Sequence, residues 1–194
     1  MRVVGGKWGG KPLESPEGRG VTRPTTDRNR EAMASMILSA RGLNLEGSSV
    51  LDAFAGSGAM GIELLSRGAA RCTFIDQDAR AVARVRRNLA RVGAERGDYA
   101  VLRGDACQLA ERGRIAGAPF DVVFLDPPYA LSAGVVSAML KHLVAQGALR
   151  SGATVVYERS AQAPGLDVPG LIPMRTKRYG ITCVDLLEKG QDVD

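Results

Sequence analysis

Ser49-Val-Leu-Asp-Ala-Phe-Ala-Gly-Ser-Gly58, running on into Ala59-Met-Gly-Ile-Glu-Leu-Leu65, decides the fold. Residues 49–53 are short and apolar, glycines at 56 and 58 interrupt them, and residues 59–67 carry apolar side chains at helical spacing until Gly68 stops the pattern. A strand that turns through glycines into a helix leaves a carboxylate, Asp52, at the strand's carboxyl end, where open α/β sheets bind their ligands.

The alternation continues outward from this unit. Downstream, strands are predicted over 72–76, 99–103, 120–125 and 154–158, with helices over 78–92, 107–115 and 132–146 between them. Two further strands near 171–175 and 182–187 complete the chain. Strands of nearly pure apolar residues separated by helices indicate an α/β fold, a doubly wound parallel sheet covered on both faces. Upstream, residues 1–16 read as two short strands around Gly5-Gly6 and Gly9-Gly10, a small hairpin outside the main core. A polar, proline-stopped stretch, 22–28, leads to a helix that Thr26 or Asp27 can cap, with Ala32, Met33, Met36, Ile37 and Ala40 as its apolar face. The expected organisation is a basic extension over 1–45, packed on a main domain over 46–194.

Charge is unevenly placed. The chain has a net charge of +5, and its first 30 residues hold seven cations against three acids. A basic end beside a nearly neutral domain suits either a polyanion-binding enzyme or a solvated tail. In the helix at 78–92, Arg80, Arg84, Arg87 and Arg91 form a row opposite the apolar stripe, and such a row meets RNA or solvent. Cys72, Cys107 and Cys183 are distant from one another and lack metal-ligand spacing, so free thiols are expected, with no disulfide framework and no metal. His142, the only histidine, has no nucleophile motif around it, which disfavours triad chemistry. No apolar run is long enough for a membrane span, and a cytoplasmic protein is expected.

Gly56, Gly58 and Gly61 spell GxGxxG, a pattern shared by dinucleotide-binding and methyl-donor folds. Electrostatics separates the two. Carboxylates at Asp52 and Asp105 would repel a pyrophosphate, whereas S-adenosylmethionine has no phosphate and offers an ammonium and a sulfonium to acidic surroundings. Asp76, ending the second strand, suits ribose hydroxyls, and Asp105 suits an adenine amino group; the competing reading for each strand-end acid is helix N-capping. The most specific motif is Asp126-Pro-Pro-Tyr129, at the end of the fourth strand. Its prolines remove two backbone donors and hold the chain extended, so the Asp126 side chain and the Pro127 carbonyl can both accept hydrogens from one amino group. Accepting them would favour a pyramidal, nucleophilic nitrogen on a base, while Tyr129 offers a ring for that base to stack on.

These motifs, with Thr22-Arg-Pro-Thr-Thr-Asp-Arg28, Leu64-Leu-Ser-Arg-Gly-Ala-Ala70 and Arg178-Tyr-Gly180, resemble the RsmD family of bacterial 16S ribosomal RNA guanine-N2 methyltransferases over almost the whole chain. The resemblance implies a seven-stranded, mostly parallel class I methyltransferase sheet with a small N-terminal extension. It implies S-adenosylmethionine bound by Asp52, Phe54, Ala55, Gly56, Ser57, Gly58, Asp76, Gln77, Asp105 and Ala106, with Asp126, Pro127 and Tyr129 as the catalytic set. Arg23, Thr25, Thr26, Arg28, Arg30, Arg178 and Tyr179 would line the cleft or touch RNA. The implied substrate is 16S rRNA within the 30S subunit or a late assembly intermediate, met by a monomer. Asn29 and Ile181 depart from the family pattern, outside the catalytic motif. Adenine-N6 methylation of DNA, a non-catalytic RNA-binding assembly factor and a nicotinamide dehydrogenase are the competing readings.

Overall fold

The structure, a computed structural model, describes residues 1–16, 27–113 and 115–191. Strands β1 (Ser49–Asp52), β2 (Arg71–Asp76), β3 (Tyr99–Arg103), β4 (Phe120–Leu125), β5 (Leu149–Ser160), β6 (Leu171–Tyr179) and β7 (Thr182–Lys189) form one sheet in the order β3-β2-β1-β4-β5-β7-β6. Helix α1 spans Asp27–Ala40, α2 Ala59–Ser66, α3 Ala79–Val92, α4 Ala106–Glu111 and α5 Ala133–Ala145.

Side-chain alternation along the central strands divides the core between the two faces. Val50, Phe74, Val122, Phe124 and Val156 point to the face that buries Met33 and Ile37 of α1, Ile62 of α2 and Val85 of α3. Leu51, Ile75, Val123, Leu125 and Val155 point to the opposite face, against Ala110 of α4 and Leu140 of α5. Each such fully buried Leu, Ile or Phe contributes about 1.5–3 kcal/mol. Local chemistry fixes the helix ends. Asp78 accepts from Arg80 N at the start of α3, and Gly93, at φ +78°, closes it.

β1 has β2 on one side and β4 on the other, both parallel to it, so the strand order reverses direction at β1/β4. A crevice opens outside the carboxyl ends of strands at such a point.

The sheet has seven strands and is mostly parallel, as expected, with β7 running antiparallel to both β5 and β6. Tyr179 pairs with Thr182 across Gly180-Ile181, and a two-residue connection admits only an antiparallel pair. The helix expected over 107–115 stops at Glu111. The N-terminal segment is not separate from the core. Arg2 and Pro12 form a single antiparallel bridge, and Val3, Trp8 and Leu13 are buried with Ile62 and Phe74. Gly6 makes this approach possible: at φ +75°, a Cβ there would lie 2.0 Å from the Ser66 carbonyl oxygen, while Trp8 N donates to Ser66 Oγ at 2.9 Å.

Candidate active site

Each of five adjacent parallel strands ends in, or runs directly to, a carboxyl group: Asp105 beyond β3, Asp76 on β2, Asp52 on β1, Asp126 beyond β4 and Glu158 on β5. The first four line a cavity of about 560 Å³, together with Phe54, Ala55, Gly56, Ser57, Gln77, Ala106 and Pro128. That volume is ordinary for a cofactor-sized ligand.

The glycine turn is held by these acids. Asp76 accepts from Gly56 N at 2.8 Å through one oxygen and from Asp78 N at 2.9 Å through the other, so it clasps the loop. Each oxygen keeps a second acceptor site for a ribose hydroxyl. Asp52 accepts from Gly61 N at 3.1 Å and is 2% exposed. Burial pushes its carboxyl up to about 7; the Gly61 N–H opposes the rise, and the charges of Asp126 and Asp76 add to it. Asp105 caps α4 through Oδ1, which accepts from Cys107 N and Gln108 N, while the residue still lines the cavity. Capping and ligand binding are therefore compatible at this position. Gly58, at φ +74°, turns the chain into α2 and is not part of the cavity lining.

Asp126 is half-buried, and among the described residues nothing hydrogen-bonds to its carboxylate. Burial pushes it up to about 6, and its oxygens have no internal donor competing for them among the described residues. Pro127 is buried and outside the lining, whereas Tyr129 is 65% exposed, one residue from the cavity-lining Pro128. An exposed tyrosine beside a cavity leaves a ring face for a base.

Glu158 was not singled out from the sequence. The β4–β5 register pairs Leu125 with Tyr157, so the next residues, Asp126 and Glu158, stand side by side on the same sheet face. Burial and the charge of Asp126 push Glu158 up to about 8, and its Oε2 is enclosed without a hydrogen-bond partner. The signal available was its place at the end of the apolar run Thr154–Tyr157, the same place the aspartates hold on their strands.

The residues expected to meet RNA are dispersed. Arg23, Thr25 and Thr26 lie outside the described residues. Arg28 is exposed on α1, and Arg178 is exposed on the edge strand β6, where its Nε donates to the Gly180 carbonyl. Tyr179 packs against the core with its hydroxyl 3.7 Å from Met36 Sδ. Arg30 lines the cavity rather than the outer surface: it is 1% exposed, among Asp27, Glu63 and the Arg2 carbonyl. The arginine row of α3 is also partly spent within the protein, since Arg87 binds Glu14 at 2.6 and 2.8 Å and ties the N-terminal segment down.

A family model described as "Conserved hypothetical protein 95" matches residues 1–188. The "Putative rRNA methyltransferase YlbH" of Bacillus subtilis is 34% identical over 190 residues, covering 97% of this chain and 99% of that protein. The chain belongs to this family, the RsmD-type methyltransferases. Within the RsmD family, the "Ribosomal RNA small subunit methyltransferase D" of Escherichia coli is 38% identical over 130 residues, 66% of this chain and 60% of that one. A solved structure titled "Putative methyltransferase yhhF from Escherichia coli" superposes with a TM-score of 0.82 at 31% identity and covers 98% of both chains. Magnesium protoporphyrin IX methyltransferase from Synechocystis, solved with bound S-adenosylmethionine, shares the fold at a TM-score of 0.64 and 20% identity.

The acidic cavity of this RsmD-type chain fits the methyl donor. Among the described residues its five aspartates, Asp52, Asp76, Asp78, Asp105 and Asp126, outnumber the lining arginines Arg30, Arg80 and Arg84, a balance that suits a ligand with a sulfonium and an ammonium better than a pyrophosphate.

Proposed function

We propose that this chain is an S-adenosylmethionine-dependent methyltransferase of the exocyclic N2 amino group of a guanine in 16S rRNA. It acts as a monomer in the cytoplasm, on the 30S subunit or a late assembly intermediate. The observation that carries the reading is Asp126. It lines the donor cavity beside Asp52 and has no hydrogen-bond partner among the described residues.

When bound, the donor supplies a methyl group on a cationic sulfur. The residues of the chain do the rest. Asp52, Asp76 and Asp105 hold the donor along the strand ends, with Phe54, Ala55, Gly56, Ser57, Gly58, Gln77 and Ala106 forming the walls and the turn. Asp126 and the Pro127 carbonyl accept the two hydrogens of the base's amino group, which localises the nitrogen lone pair and aims it at the methyl. As the nitrogen–carbon bond forms and the carbon–sulfur bond breaks, the nitrogen gives a proton to Asp126, which returns it to solvent. Tyr129 stacks on the unstacked base, and exposed Arg28 and Arg178 supply phosphate contacts.

The test is a transfer assay with isotopically labelled donor against 30S subunits, naked 16S rRNA and duplex DNA. Label in the RNA substrates, recovered as N2-methylguanosine, is expected. Label in DNA alone favours the adenine-N6 reading, and label nowhere favours a non-catalytic assembly factor.

A further inference from the structure

The strand-end acids match only two of the donor's three charged groups. S-adenosylmethionine has a sulfonium and an ammonium, which acids attract, and a carboxylate, which Asp52, Asp76 and Asp126 repel. The described cavity-lining cations are Arg30, Arg80 and Arg84. Arg80 is exposed in the first turn of α3, just beyond Asp76 at the ribose end. Arg84 lies further along α3, 3.9 Å from Glu14 through Nε; that nitrogen too is enclosed without a hydrogen-bond partner among the described residues, but the side chain is 13% exposed.

Arg30 is different in burial, position and charge. Its side chain is 1% exposed, and its Nη2 donates to Asp27 Oδ1 at 2.8 Å and to the Arg2 carbonyl. Among the described residues Nε, although 3.8 Å from Glu63 Oε2, makes no hydrogen bond, and Nη1 has no partner; both atoms are enclosed. Native folds seldom leave buried guanidinium hydrogens unused unless a ligand completes them. Met33, one turn further along α1, also lines the cavity, so this face of the helix looks into it. The contact with Arg2 places Arg30 near Met1, whose Sδ lies 4.0 Å from Ser57 Oγ on the glycine turn, the end where the donor's amino-acid portion belongs. Three cations, Arg2, Arg30 and Arg67, face two acids, Asp27 and Glu63, in the surrounding ion-pair group. Among the described residues one positive charge is left over in this group, which suits one monoanion.

We infer that Arg30 binds the carboxylate of the methyl donor through Nη1, orienting the donor's amino-acid end over the glycine turn. The inference rests on the proposed donor, and its test is built so that the two can fail separately.

Calorimetry compares S-adenosylmethionine with its decarboxylated analogue, which keeps the sulfonium and ammonium. The wild type is expected to prefer the carboxylate-bearing ligand by about 10- to 100-fold, as for a charge-assisted bond in a sheltered site. In Arg30→Gln the preference is expected to fall to about threefold or less. A general loss of stability weakens both ligands alike and leaves their ratio intact. Should Arg30→Gln fail to fold, Arg30→Lys keeps the charge against Asp27 and Glu63 but not the planar fork, and its preference is expected to drop at least about fivefold. A wild type that binds both ligands equally overturns the role of Arg30 while leaving the donor assignment intact, as does a preference lost in Arg84→Gln and kept in the Arg30 variants. A wild type that binds neither ligand overturns the donor assignment itself.

Discussion

Replacing Asp52 with Asn should stabilise the ligand-free protein, and by an amount that depends on pH. The carboxyl is 2% exposed, accepts one hydrogen bond from Gly61 N, and is pushed from its ordinary 3.8 up to about 7. An acid whose folded value is raised contributes full stability below the unfolded value and loses it as pH rises through the folded value. Between pH 4 and 7 the unfolded chain ionises this group while the fold holds it neutral. A rise of about 3 units at about 1.36 kcal/mol each amounts to about 4 kcal/mol by pH 7, with no further change above. The carboxamide of Asp52→Asn keeps an acceptor for Gly61 and escapes that cost. Urea unfolding of both proteins from pH 4 to 9 should therefore show a difference near zero at pH 4, about 2 kcal/mol at pH 5, and a plateau from pH 7. Donor binding reports the same group. A sulfonium and an ammonium favour the ionised carboxylate, so wild-type affinity should rise by up to about tenfold per pH unit approaching pH 7, while the variant stays flat. A stability difference independent of pH would refute the reasoning, because the buried carboxyl would then not be holding a proton.

Asp126→Asn should keep donor affinity while lowering transfer by about 100- to 1000-fold, and the wild-type rate should fall as pH drops below about 6, where Asp126 protonates; single-turnover kinetics across pH checks both. In the same variant Glu158, relieved of its neighbour's charge, should titrate below its value of about 8, which carboxyl carbon-13 NMR would read. Gly61→Ala should lower thermal stability, because its Cβ would sit 2.3 Å from Phe74 Cε1 and 2.7 Å from Cys72 Sγ; overpacking of about 1–3 kcal/mol outweighs the roughly 0.5–1 kcal/mol that Ala gains in a helix. Glu63→Gln should cost about 3–5 kcal/mol and release the N-terminal segment, since the buried carboxylate pairs with Arg67 at 2.8 Å and accepts from Val4 N and Gly5 N; urea unfolding and amide exchange at those two residues would show it.

Much of this architecture is legible in the chain, for physical reasons that also mark where legibility ends. The first four strands are apolar on both faces and stop at or beside an aspartate, so their ends and the site coincide in the sequence. β6 is legible only in its first half, near 171–175, whereas the strand runs on to Tyr179. As the sheet's edge it exposes Ile172 through Arg178, and the polar residues Thr176-Lys-Arg178 carry no apolar alternation to extend it. β5 begins at Leu149, five residues before its apolar run, because the pairing with β4 shifts register between Phe120 and Val122. Val3, Trp8 and Leu13 join the core singly, from between glycines and lysines, without a period to reveal them. Within the site, Asp126 announces itself through its prolines, whereas Glu158 has only its strand-end position. Arg28 and Arg30 look alike in sequence, yet one faces solvent and the other is enclosed. Only tertiary packing separates them.

The most direct measurement compares modified nucleosides in 16S rRNA from cells with and without this gene, mapped by mass spectrometry after nuclease digestion. Loss of one N2-methylguanosine, restored by the wild-type gene and not by Asp126→Ala, is the predicted result. An unchanged set of methylated guanines, or a loss confined to methyladenine in DNA, would contradict the account.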